Sequence, residues 1–81
     1  MPGSRKLGVS RRALIQRINR VLRKEDNVLQ TTRVEKDRNQ LGDYYVVDLR
    51  RNFIVEKNVD LEQKGRELEV LKGYERFEGK S

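Results

Sequence analysis

The chain has 81 residues, of which 40% are charged, with a net charge of +6 and neither cysteine nor histidine. That length allows a single domain with a small core. The composition excludes disulfides and thiolate metal sites and, because structural zinc is held by thiolate and imidazole, a zinc fold. No run approaches the roughly 20 apolar residues of a membrane span. Residues 1–9 lack the apolar stretch of a secretory signal, so a cytoplasmic protein is expected.

The basic excess is one-sided. Residues 1–24 hold eight of the 19 Lys and Arg residues and none of the 13 acids. The rest of the chain carries eleven bases against those thirteen acids. Such segregation bears on polyanionic partners rather than on fold.

Residues 1–9 contain the one proline and two of the glycines and read as a mobile basic arm carrying Arg5 and Lys6. Ser10 is a good N-cap, because its hydroxyl can accept from a free amide of the first helical turn. Residues 11–24 then follow a helical period. Leu14, Ile18, Val21 and Leu22, widened by Ile15, form an apolar arc of about 120°. Arg12, Gln16, Arg17, Arg20, Arg23 and Lys24 occupy the opposite arc, and Arg23 and Lys24 also complement the negative end of the helix dipole.

Residues 25–27 read as a turn, and 28–34, rich in β-branched side chains, as a strand. Residues 35–43 are polar, end in Gly42-Asp43, and read as a loop. Tyr44 to Leu49 is the strongest strand signal. Alternation puts Tyr45, Val47 and Leu49 on one face, expected to be the core face, and Tyr44, Val46 and Asp48 on the other. Arg50, Arg51 and Asn52 form a short turn in which Asn52 can adopt a left-handed conformation. A returning strand over 53–57 completes a hairpin.

Asp60 caps a second helix, with Gln63 three residues on in a capping-box pattern. Leu61, Leu68 and Leu71 mark its apolar side. Gly65 lies on that side, where it permits close contact with the sheet, and Gly73 stands where a C-terminal cap is expected. Tyr74 and Phe77 belong to a tail over 74–81 that either folds back or stays free.

The expected domain therefore spans residues 10–73 and is α+β, in the order α-β-β-β-α. The economical packing is a three-stranded antiparallel sheet with both helices on one face and the other face open to solvent. The competing layout puts the helices at opposite ends or faces.

That order resembles the double-stranded RNA-binding domain in topology. The family's Gly-Pro-x-His loop is missing here. Where the family opens its second helix with phosphate-gripping lysines, this chain has Asp60-Leu61-Glu62-Gln63-Lys64, so no functional residue carries over. In sequence, residues 10–20 (Ser-Arg-Arg-Ala-Leu-Ile-Gln-Arg-Ile-Asn-Arg) and 41–49 (Leu-Gly-Asp-Tyr-Tyr-Val-Val-Asp-Leu) resemble a family of small uncharacterised bacterial proteins, some of them borne on mobile elements. That resemblance, over roughly residues 10–75, implies no activity.

Asp43, Asp48, Glu56 and Lys57, on or beside the hairpin, invite comparison with metal-dependent nucleases. The spacing fails, because Glu56 and Lys57 are adjacent and alternate across the sheet. No glycine-rich phosphate loop is present. The chain is therefore expected not to be an enzyme, and to need no cofactor, metal ion or small-molecule substrate. The basic helix points instead to DNA or RNA, with phosphates contacted by Arg12, Arg17, Arg20, Arg23 and Lys24 and, secondarily, by Arg50 and Arg51.

Against this stands a merely solvated face whose arginines pair with Glu25, Asp26 or acids of the second helix. Tyr44 is the candidate platform for an unpaired base, with cross-strand packing as its alternative. The rival function is a protein-interaction or homodimerisation module that uses the open sheet face or an edge strand. A membrane-surface role is disfavoured, because the apolar side of the first helix lacks Trp and Phe and is needed for the core.

Overall fold

A computed structural model describes residues 7–78. Strand β1 (Leu7–Val9) leads into helix α1 (Arg11–Leu22). Ser10 starts the helix: its backbone is extended and its hydroxyl accepts from the Ala13 amide at 3.2 Å. Leu14, Ile18 and Leu22, spaced four apart, are all buried, as one helical stripe requires. The last turn tightens into a 3-10 turn over Arg23–Glu25. Asp26, in the left-handed region at φ 59°, then ends it, so the α-helix is two residues shorter than expected.

Strands β2 (Asn27–Thr31), β3 (Tyr44–Asp48) and β4 (Phe53–Glu56) form an antiparallel sheet in the order β2-β3-β4. The segment expected to be an irregular loop holds a 3-10 turn over Glu35–Asp37 and one helical turn, α2 (Arg38–Leu41). In the hairpin turn, Asn52 takes the left-handed conformation at φ 57°. The Asp48 carboxylate accepts from the amides of Arg50 and Arg51 at 2.9 and 3.1 Å.

The core face of the hairpin is the reverse of the expected one. Val46 is 2% exposed and pairs with buried Leu29, while Leu49 is 57% exposed. Tyr44 packs against the core. Both faces of this strand are apolar in sequence, so Asp48 and Leu49 decided the expectation, and both act as turn residues. Asp48 bonds the turn amides, and Leu49 lies beyond the strand, its amide donating to the Asp26 carbonyl at 2.7 Å. The opposite face carries Tyr45, opposite Gln30, and the cross-strand neighbours Val28, Val47 and Ile54. A bulge at Val55 shifts the partner from Glu56 to Ile54 between Val46 and Val47.

Helix α3 spans Leu61–Glu67, with the Asp60 carboxylate accepting from the Gln63 amide at 3.1 Å. It stops well before Gly73. Glu69 takes the left-handed position at φ 61°, and the amides of Val70 and Leu71 turn back to the Gly65 carbonyl at 2.9 and 3.0 Å. Gly65 serves a helix–helix contact rather than a helix–sheet one, since a Cβ there would lie 2.8 Å from Leu14 Cδ1. Lys64 is buried between β4 and α3, with Nζ 2.6 Å from Glu56 and 3.3 Å from Glu67. Burial opposes its charge, but the hydrogen bonds and charges of Glu56 and then Glu67 outweigh that and raise its pKa.

Both chain ends differ from the arm-and-tail picture. Strand β5 (Glu75–Phe77) pairs in parallel with β1, and Val9 is buried in the core. Residues 7–9 are thus structural, whereas Arg5, Lys6 and the rest of the expected arm lie outside the described residues. The fold is α+β, and a small parallel sheet adds to the three-stranded antiparallel one. One apolar cluster joins Val9, Leu14 and Ile18 to Leu29, Val46, Leu61 and Leu71.

The face assignment has a direct check. Val46→Thr buries a hydroxyl without changing shape and should cost about 1–3 kcal/mol of unfolding free energy in urea titration. Val47→Thr should change it by under about 0.5 kcal/mol. The reverse ranking would return the core to the other face.

Candidate nucleic-acid interface

Helix α1 has three working sides. Its aliphatic stripe enters the core. One flank holds Asn19, whose side-chain oxygen accepts from the Leu29 amide of β2 at 2.7 Å. The other flank holds Arg17, whose Nη1 reaches Glu75 Oε1 at 2.9 Å and the Val70 carbonyl at 3.0 Å. The remaining outer arc faces solvent.

The seven basic residues expected at the interface divide into three groups. Arg12 and Arg20 are exposed on α1, and Arg23 and Lys24 are exposed in the 3-10 turn that follows; none of the four has a carboxylate partner within 4 Å among the described residues. Arg17 is different, since an acid from the far end of the chain neutralises it. Arg50 lies 3.7 Å from Asp26, whereas Arg51 is exposed with no such partner among the described residues. The bond from Leu49 to Asp26 draws the hairpin tip to the end of α1. Arg50 therefore sits beside Asp26, which ends the 3-10 turn that carries Arg23 and Lys24.

Two residues at this surface were not foreseen. Lys72 and Tyr74 line a groove of about 350 Å³ together with Arg17 and Arg20. The exposed aromatic side chain beside the α1 cations is thus Tyr74, 62% exposed, whereas Tyr44 packs against the core. Periodicity could not reveal this, because the groove depends on α3 stopping early and the chain turning back toward α1.

The hairpin carboxylates are dispersed. Asp43 lies 3.5 Å from Arg38, Asp48 bonds its own turn, and Glu56 pairs with Lys64. No group of three or more His, Cys, Asp or Glu residues among the described residues could hold a metal ion. None of their helices is long and apolar enough to cross a membrane. At the start of α3, Asp60 caps its own helix and Glu62 pairs with Arg66 at 3.3 Å.

The Arg17–Glu75 tie is sensitive to acid. The hydrogen bond from Arg17, and next the one from the Lys72 amide at 2.9 Å, hold the Glu75 carboxyl below its ordinary pKa. A depressed folded-state pKa stabilises the fold above the unfolded value, about 4.3 for glutamate, and that contribution fades as pH falls through the folded value. Glu75→Gln should therefore lower Tm at neutral pH, with the gap from the parent closing in acid. A gap of equal size at both pH values would show that the tie is not electrostatic.

No protein-family model, curated protein or solved structure matches the chain.

Proposed function

We propose that the protein is a non-enzymatic nucleic-acid-binding module that grips phosphates with the outward side of α1. Helix α1 packs its aliphatic stripe into the core with Leu29 and Val46 and turns its basic side to solvent. The observation that carries the reading is the set of four exposed cations, Arg12, Arg20, Arg23 and Lys24, with no carboxylate partner among the described residues and no acid anywhere in α1. Guanidinium and ammonium groups so placed displace condensed counterions when they meet a phosphate backbone, which is a favourable term independent of base sequence. Arg51, with Arg50 beside it, extends the surface. Arg17 falls outside the gripping set, because its charge is already matched.

Four such contacts predict that log K falls against log salt with a slope of roughly −3 to −4 on duplex DNA. Fluorescence anisotropy with short DNA and RNA duplexes across a salt series measures it. The double variant Arg20→Glu, Arg23→Glu should lose at least about tenfold in affinity with an unchanged circular dichroism spectrum. Parental affinity in that variant would refute the proposed surface.

A second reading has its own observation. Strand β4 is a sheet edge with Phe53, Ile54 and Val55 all exposed, whereas an amide of the β2 edge is occupied by Asn19. An open apolar edge can pair with a second copy. Under this reading, sedimentation shows a dimer that persists in high salt and that Val55→Lys dissociates. A monomer across the concentration range would rule it out.

A further inference from the structure

We propose that the groove between α1 and residues 70–75 seats one unpaired nucleotide of a single-stranded nucleic acid, its base on the Tyr74 ring and its phosphate between Arg20 and Lys72. This rests on the phosphate-gripping role of α1 and adds the class of nucleic acid.

The groove joins a charge and an aromatic ring in one place. Its walls bring three cations, Arg17, Arg20 and Lys72, against one carboxylate, Glu75. Arg17 and Glu75 satisfy each other at 2.9 Å, which leaves Arg20 and Lys72 as the surplus. Val21 and Val70 supply an apolar floor, and Tyr74 stands out into solvent beside them. Positive charge for the backbone next to an exposed ring for the base is the combination that holds single strands, since every base offers a π-face whatever its sequence. A duplex offers only its backbone here, because its bases are stacked and paired out of reach of a ring on a protein surface.

The backbone that carries the ring is also held. The Lys72 amide donates to the Glu75 carboxylate at 2.9 Å, and the Glu75 amide donates back to the Lys72 carbonyl at 2.9 Å. Arg66 bonds the same Lys72 carbonyl at 3.3 Å. Tyr74 thus rides on a turn whose two ends are bonded to each other, and that turn is anchored to α1 through Arg17. Less conformational freedom is lost on binding when the backbone beneath the ring is already fixed. Because Arg20 belongs both to this groove and to the outer arc of α1, a strand seated here continues directly onto Arg23 and Lys24.

The test uses the full chain and a labelled oligothymidylate of about 12 nucleotides, with a duplex of the same length as the second arm, at about 50 mM salt. Tyr74→Ala should weaken single-strand binding by roughly five- to one-hundred-fold and leave duplex binding unchanged. Tyr74→Phe, which keeps the ring, should stay within about twofold of the parent. The chain has three tyrosines and no tryptophan, so stacking should also quench tyrosine emission, and Tyr74→Phe should remove that quench. If Tyr74→Ala binds the single strand like the parent while Arg20→Glu, Arg23→Glu still abolishes binding, the nucleotide seat is wrong and the phosphate grip stands. If the parent binds neither probe, both are wrong.

Discussion

The bond from Arg17 to Glu75 organises the surface of this protein. It crosses 58 residues of sequence and links the flank of α1 to β5. Together with the bond from Arg17 to the Val70 carbonyl, it holds the segment after α3 against the first helix, and without it the groove containing Lys72 and Tyr74 would lose one wall. The pair stands partly in solvent, so its value lies more in geometry than in energy. The same acid receives the Lys72 amide, and the same guanidinium holds the Val70 carbonyl, so one ion pair fixes both ends of the turn that presents Tyr74.

This arrangement gives α1 a division of labour that fits a small domain. A core limited to a few Leu, Ile and Val side chains stabilises only modestly, and here it is closed by β1 and β5 from the two ends of the described chain. The charged groups that face inward, Glu75 and Lys64, are both paired, as burial demands. The cations on the outer arc have no such obligation. Like charges this close repel one another, and a polyanion relieves that repulsion. The apolar sheet face with Val47 and Ile54 belongs to a different part of the surface, so a homodimer formed through β4 would not compete with a strand on α1.

Much of this was legible in the residues. Ser10 and Asp60 announced their helices because a cap is a local interaction, and Asn52 took the left-handed turn position for the same reason. The stripe of Leu14, Ile18 and Leu22 followed from period alone. What failed was whatever depended on distant partners. The face of β3 could not be told from alternation, because Tyr45 and Val47 are as apolar as Tyr44 and Val46, and the deciding residues belonged to the turn. Gly73 resembled a cap, but the chain turned at Glu69, where the amides of Val70 and Leu71 could reach Gly65. Parallel pairing of β1 with β5 leaves no local pattern in three-residue strands. On α1, the outer cations could be foreseen as exposed. The withdrawal of Arg17 by Glu75, and the arrival of Lys72 and Tyr74 beside Arg20, arise only once the tail has folded back.

An amide NMR titration of the whole chain with a short oligonucleotide at low salt addresses the central claim most directly. On this account, the resonances that move belong to the outer arc of α1, the 3-10 turn with Arg23 and Lys24, and the turn around Tyr74, while those of β4 and of Val47 stay still. Shifts gathered on the sheet, with α1 unmoved, would contradict it.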